Sequence, residues 1–231
     1  MKRFYREVAL AAAAEGWQVR LDQKPVRTPK GTPLTLPTLA LAQGVAAEWR
    51  SVAERVDPRT MPLTRLAATV LDQLPARRRD AIEEALEVGR WDLLCYRAQH
   101  PEALVDRQRQ AWQPWLDWAE ARYGVRLQPV HGIQPIDQPR SALLRLRHAL
   151  DELDDWRLVG VHGAARETGS LILALALLET RIDGAQAFQL AYLEELWELE
   201  QWGEDAEQRR RHRHIAGELA ALARYLRALA P

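Results

Sequence analysis

The sequence is poor in cysteine, phenylalanine and methionine, and it has no excess of either charge. A single cysteine among 231 residues excludes an internal disulfide and is typical of a reducing compartment. The 32 lysines and arginines balance 32 acids, which counts against a nucleic-acid or membrane-surface footprint spread over the whole chain. The longest apolar run, Leu171–Leu178, is too short to cross a bilayer, and no basic-plus-apolar leader opens the sequence. We therefore expect a soluble intracellular protein with no membrane insertion.

Sequence signals of catalysis are also missing. Cys95 has no histidine near it in the sequence, so we expect a buried structural thiol. His212 and His214 lie among arginines, which would repel a metal cation. We find no glycine-rich dinucleotide fingerprint, no nucleophile elbow and no recognisable acid pair. We expect no catalytic residue, no cofactor and no metal, although an enzyme with an unrecognised site remains an alternative.

The first third of the chain has the strand patterns. Extended structure is predicted for residues 4–8, 17–21 and 33–36, with a hairpin turn beginning at Asp22. From Thr38 the apolar period becomes helical, and a second helix is predicted to end near Leu74. A small antiparallel sheet followed by two helices is typical of a two-layer α+β domain, which we place at residues 1–76.

The remainder of the chain has mainly helical patterns. A long helix is predicted for residues 102–123, carrying Trp112, Trp115 and Trp118, and further helices follow from Arg140, Asp155 and Ser170. Residues 91–96 fit either a strand or a helix. We predict an all-helical domain at residues 77–231, arranged as an orthogonal bundle, so the fold class of the whole chain is α+β.

Residues 183–205 are the most readable segment. Asp183 and Gln186 have the spacing of a capping box, Gly203 supplies a helix stop, and Asp205 begins the next helix. A single helix is predicted between the two caps. Its packing face is predicted from three- and four-residue spacing to contain Phe188, Tyr192, Leu196 and Leu199. The remaining surface presents acids and tryptophans, namely Glu194, Glu195, Glu198, Glu200, Trp197 and Trp202.

A basic cluster, residues 209–214, follows near the start of the last helix. Cations there oppose the helix dipole, which prefers anions at this end. The acids of residues 194–205 just precede the cluster, so we expect mutual neutralisation across a helical hairpin. The alternative is that the cluster binds nucleic acid or an acidic partner.

Short segments spread over nearly the whole chain carry a family resemblance. They are Lys2-Arg3-Phe4-Tyr5, Gly16-Trp17-Gln18-Val19, Leu21-Asp22, Thr28-Pro29, Pro33-Leu34, Leu36-Pro37-Thr38, Glu48-Trp49, the block of residues 57–67, Asp92-Leu93-Leu94-Cys95-Tyr96-Arg97, Gly169-Ser170-Leu171, Glu194-Glu195 and Gln201-Trp202-Gly203. Together they resemble the assembly chaperones that bind the α subunit of the ATP synthase catalytic head, a family of mitochondria and some bacteria. Gln23, Ala68 and Trp197 depart from the usual pattern, where glycine, asparagine, and tyrosine or phenylalanine are common.

The resemblance implies an α+β domain followed by a helical domain, with no catalysis and no cofactor. It implies that the chain binds the unassembled α subunit, keeps it soluble and hands it on for assembly with the β subunit. The functionally sensitive acid of the family corresponds to Glu195, with Glu194 beside it. We predict Glu195, Glu194, Trp197 and Trp202 as partner-binding residues, and a monomer when the chain is free.

Overall fold

The computed structural model describes residues 2–132, 134, 136–203 and 205–230. The chain opens with a four-stranded antiparallel sheet of β1 (Val8–Ala13), β2 (Gly16–Leu21), β3 (Lys24–Pro25) and β4 (Thr35–Leu36). Both β3 and β4 pair with β2, which also pairs with β1. The hairpin turn predicted after β2 is present. Its two central residues, Asp22 and Gln23, adopt the positive φ values that such a turn requires, 46° and 69°.

The strand predicted at residues 4–8 is wrong. β1 begins only at Val8 and runs through an alanine-rich stretch, since its ladder with β2 overrides the weak strand propensity of alanine. Residues before it serve a different purpose. Tyr5 is buried, and its hydroxyl donates to the Trp49 carbonyl at 2.6 Å.

Ten helices are described after the sheet begins, and they follow the predicted order closely. Their bounds are α1 (Leu39–Ser51), α2 (Pro62–Asp72), α3 (Leu74–Arg90), α4 (Glu102–Tyr123), α5 (Arg140–Asp151), α6 (Asp155–Thr168), α7 (Leu171–Leu178), α8 (Gly184–Ala191), α9 (Leu193–Trp202) and α10 (Ala206–Ala228). Residues 91–96 form a 3-10 turn, Leu93–Cys95, leading into β5 (Tyr96–Arg97), which pairs in parallel with β6 (Val130–His131). The predicted α+β class is confirmed. The predicted domain boundary at residue 76 lies in the first turn of α3, and the division itself stays a prediction.

Helix α2 receives its N-terminal cap from another helix. Its own cap residue, Met61, makes no side-chain hydrogen bond. Instead the Glu48 carboxylate of α1 accepts hydrogen bonds from the backbone N–H of Leu63 at 2.7 Å and of Thr64 at 2.8 Å. These bonds satisfy donors that a helix start otherwise leaves free, so α1 and α2 are fixed to each other.

Helix α10 joins the C-terminal end of the chain to the N-terminal elements. Arg65 of α2 forms an ion pair with Glu218 at 2.5 Å, and the Thr38 hydroxyl donates to the Ala228 carbonyl at 2.6 Å. Helix α10 also packs on α6, α7 and α8. One long helix is therefore supported along most of its length.

Helix α7 lies at the centre of the bundle. Every residue from Leu171 to Leu177 is buried, which accounts for its uninterrupted apolar sequence. No helix in the described part of the chain is both long and apolar enough to cross a membrane. The cysteine predicted to be structural, Cys95, is also fully buried, and burial raises the pKa of its thiol.

A buried carboxylate holds the start of α7. Asp92 has no exposed surface and accepts hydrogen bonds from the backbone N–H of Leu94 and of Ile172, each at 3.1 Å. The Leu93 N–H donates to the Gly169 carbonyl at 2.9 Å. Burial raises the pKa of Asp92 to about 6, although the hydrogen bonds that its carboxylate accepts act to lower it.

The stability of the fold should depend on the protonation of Asp92. Since burial raises its pKa from 3.8 to about 6, the folded chain binds this proton more tightly than the unfolded chain. Its contribution to the free energy of unfolding is therefore present at low pH and lost as the pH rises through 6. Relative to Asp92→Asn, the wild type should gain about 1 kcal/mol between about pH 7 and about pH 5, measured by urea unfolding. A constant difference between the two proteins across this range would contradict the account, and Asp80→Asn on the exposed face of α3 is the control.

Candidate functional site

The segment predicted as one helix between Asp183 and Gly203 is two helices. The capping boxes of Asp183 with Gln186 and of Asp205 with Gln208 are both present, but the helix is interrupted at Tyr192, between α8 and α9. The Tyr192 ring stacks on Phe188 with ring centres 5.1 Å apart, and its hydroxyl donates to the Glu167 carbonyl at 3.1 Å. The tertiary contact with the Glu167 carbonyl holds Tyr192 outside the helical conformation. The prediction of an unbroken helix is therefore wrong.

Helix α9 has little apolar anchorage. Leu193 is its only buried residue, and Leu196 and Leu199 of the predicted packing face are only partly buried. A ten-residue helix with so small an apolar contact needs other interactions to stay in one position. Its acids supply them.

Glu194 connects α9 to helix α4. Its carboxylate accepts a hydrogen bond from the side-chain amide of Gln108, which is fully buried. The Gln108 oxygen in turn accepts from the Ala98 N–H at 2.8 Å. Glu194 is therefore the acceptor that satisfies a buried donor and links α9 to α4 and to the end of β5.

Glu195, the next residue, connects α9 to helix α10. Its carboxylate lies 2.6 Å from Arg211 Nη1 and 3.1 Å from His212 Nε2. His212 is buried, and its ring packs edge-on against Phe188 of α8 with ring centres 5.5 Å apart. Partial burial acts to raise the pKa of Glu195, but the hydrogen bonds from Arg211 and His212 outweigh it and the pKa is lowered. Glu195 thus stays ionised at neutral pH and holds the two helices of the hairpin together.

A third acid of α9, Glu200, forms a two-pronged ion pair with Arg107 of α4, at 2.6 and 2.8 Å. Both side chains are well exposed, so this pair contributes less than its geometry suggests. The acidic surface predicted for α9 is therefore largely engaged within the chain. Among the described residues, the side chain of Glu198 forms no hydrogen bond and no ion pair.

The two predicted tryptophans of α9 lie in different environments. Trp197 is partly buried and packs against the hydrophobic core. Trp202 is the last residue of α9 and is 87% exposed, more than any other large apolar side chain described. Trp202 is consequently a surface residue at the tip of the hairpin formed by α9 and α10.

The basic cluster at residues 209–214 divides into two parts. Arg211 forms the ion pair with Glu195 that is expected for a helical hairpin, and His212 forms a hydrogen bond with the same carboxylate. Arg210, Arg213 and His214 are exposed to solvent.

The described residues offer little for catalysis. No group of three or more His, Cys, Asp or Glu side chains among them is close enough to hold a metal ion. Asp92, whose pKa is raised to about 6 by burial, lies sealed in the core and out of reach of any substrate. The site residue that sequence reasoning missed is Gln108, because a buried glutamine in a long helix has no distinguishing pattern.

Comparison with known proteins identifies the family. A family model described as "ATP12 chaperone protein" matches residues 2–120. The chain belongs to the ATP12 chaperone family. The resemblance inferred from the sequence is thereby confirmed at the level of the family.

Solved ATP12 structures extend the match over the rest of the chain. Atp12 from Paracoccus denitrificans is 36% identical, covers 99% of this chain and 98% of its own, and superposes with a TM-score of 0.93. An aspartate-to-lysine variant of the Paracoccus protein, also 36% identical, covers 98% of this chain and 97% of its own with a TM-score of 0.92. A putative chaperone from Agrobacterium tumefaciens is 40% identical, with a TM-score of 0.94 over 99% of this chain and 86% of its own. The hairpin of α9 and α10 lies beyond the stretch matched by the family model but within these structural matches.

Two acids of α9 should differ sharply in their effect on stability. Glu194→Ala leaves the buried amide of Gln108 without its acceptor, so we expect a loss of about 1–2 kcal/mol in the free energy of unfolding. Glu200→Ala removes an ion pair between exposed side chains and should cost clearly less. Urea unfolding of both variants measures the difference. Equal losses, or a larger loss for Glu200→Ala, would show that Glu194 does not hold α9 in the way described.

Proposed function

We propose that this chain is an ATP synthase assembly chaperone that binds the unassembled α subunit of the catalytic head. It keeps that subunit soluble and hands it on for assembly with the β subunit. Membership of the ATP12 family over essentially the whole chain supports the chaperone role. The observation that carries the proposal of a binding site is the exposure of Trp202 at the end of a helix that is fixed on two sides.

The physical task explains the requirement for such a residue. A subunit awaiting its neighbour exposes an apolar interface with a polar rim, which aggregates unless it is covered. A reversible holder needs a few aromatic anchors within a polar surround. Trp202 provides a large apolar side chain on a positioned helix end, where little conformational freedom has to be lost on binding.

The four predicted partner-binding residues then have two roles. Trp202 contacts the α subunit, and Trp197 packs against the core and so helps to hold α9 in place. Glu194 and Glu195 are positioning residues, since their carboxylates are bound to Gln108 and to Arg211. The free chain is a monomer in the cytoplasm and uses no cofactor and no nucleic acid.

Co-expression with the cognate α subunit tests the proposal. The wild type should raise the amount of soluble α and should co-purify with it. Trp202→Ala should weaken the complex by about tenfold or more, the effect of truncating an anchor tryptophan. Trp91→Ala, at another tryptophan with 41% exposure, is the matched control and should bind like the wild type. Failure of the wild type to raise soluble α or to co-purify with it would overturn the proposed function.

The role of Glu195 is tested by exchanging charges. Glu195→Lys places a like charge opposite Arg211, so it should abolish α-subunit holding while the circular dichroism spectrum stays helical. If Glu195 acts by holding α10, the double variant Glu195→Arg with Arg211→Glu restores the ion pair and much of the binding. If binding stays lost in a folded double variant, Glu195 contacts the partner directly, and its assignment as a positioning residue is wrong.

A further inference from the structure

The solvent-facing side of α10 carries a row of basic side chains near the start of the helix. Arg210, Arg213 and His214, which we call the basic stripe, are three and four residues apart and so share one side of the helix. The buried side of α10 contains His212, Ile215 and Leu219. The basic stripe is therefore turned away from the bundle.

Internal neutralisation does not account for the stripe. Glu195 engages Arg211 and His212, while Glu194 and Glu200 bind α4. Among the described residues, Arg210 and Arg213 have no carboxylate within ion-pair distance, and Arg213 Nε donates a hydrogen bond to the Arg209 carbonyl at 3.3 Å. Glu207 lies three residues before Arg210 and is exposed, yet the two form no ion pair.

The stripe also opposes the stability of its own helix. Like charges three or four residues apart on a helix repel, and Arg213 has this spacing from Arg210 and Arg209. Arginines at positions 210 and 213 therefore cost stability that Arg211 regains through Glu195 but they do not. In a chain with no net charge, solubility does not require cations at this place either. Such a local conflict is expected where a residue serves recognition.

The basic stripe and Trp202 lie near the same end of the hairpin, on α10 and on α9 respectively. Helix α10 begins four residues after Trp202, and the basic stripe lies within its first nine residues. We propose that this tip recognises an apolar patch rimmed by carboxylates on the α subunit, with Trp202 as the apolar anchor and the basic stripe as the electrostatic rim. This inference rests on the proposed function and adds the charge of the surface that is bound.

Charge reversal of the stripe tests it in the full-length chain. The affinity of Arg210→Glu with Arg213→Glu for purified α subunit is measured by isothermal titration at about 50 mM and about 200 mM salt. The double variant should bind about tenfold more weakly at the lower salt, and its affinity should lose most of the salt dependence of the wild type. Its thermal unfolding midpoint should not fall, because glutamates near a helix start suit the dipole.

The same helix supplies a matched control. Arg224 and Arg227 are also exposed, have the same three-residue spacing and lie fourteen residues further along, about 21 Å from the stripe. Arg224→Glu with Arg227→Glu makes the same change in net charge and should bind within about twofold of the wild type. Thermal unfolding of both double variants verifies that they are folded.

The outcomes separate this inference from the proposed function. If the wild type binds α but both double variants bind equally well, or if wild-type affinity is insensitive to salt, the basic stripe is not part of the interface and only this inference fails. If the wild type does not bind α at all, the proposed function fails and the inference fails with it.

A labelled twenty-nucleotide RNA tests whether the stripe binds nucleic acid instead of a protein. Stripe-dependent binding of that RNA as tight as the binding of α would assign the stripe to nucleic acid and overturn the inference.

Discussion

The position of α9 depends on two adjacent carboxylates that bind in opposite directions. Leu193 alone is buried on this helix, so apolar packing contributes little. Glu194 reaches the buried amide of Gln108 on α4, and Glu195 reaches Arg211 and His212 on α10. The contact with Gln108 matters most for stability, since an unsatisfied buried donor costs more than an exposed ion pair. With both contacts in place, the first turn of α9 is held against α4 and against the second turn of α10.

This arrangement changes which side chains are available to a partner. The sequence suggests an acidic and aromatic surface, but in the fold most of the acids are engaged inside the chain. Trp202 and the basic stripe are what the hairpin presents to solvent. Under the proposed function, we expect loss of the acid at position 195 to act on binding by misplacing the hairpin.

Several segments that carry the family resemblance contact one another in the fold. Tyr5 binds the backbone of Trp49, and Glu48 beside it caps α2 within the block of residues 57–67. Asp92 binds the start of α7 immediately after Gly169 and Ser170. These segments therefore specify how the elements are joined, and their spread along the chain reflects tertiary contacts between distant positions.

Most helices could be predicted from the sequence because their caps and apolar periods are local signals. Asp183, Gly203 and Asp205 mark ends that the structure confirms. The break at Tyr192 could not be predicted, because it depends on the distant Glu167 carbonyl. The start of β1 was misplaced for a similar reason, since its strand state comes from pairing with β2. At the candidate site, the pairing of an α9 acid with the basic cluster was predicted, but the contacts of Glu194 and Glu200 with α4 were not, and Gln108 was not recognised at all.

Amide hydrogen exchange of the chain, alone and with purified α subunit, tests the central claim most directly. The account predicts that binding slows exchange at the tip of the hairpin, in residues 197–214, while the far end of α10 and the sheet exchange as in the free chain. Protection confined to other elements, with unchanged exchange at the tip of the hairpin, would contradict it.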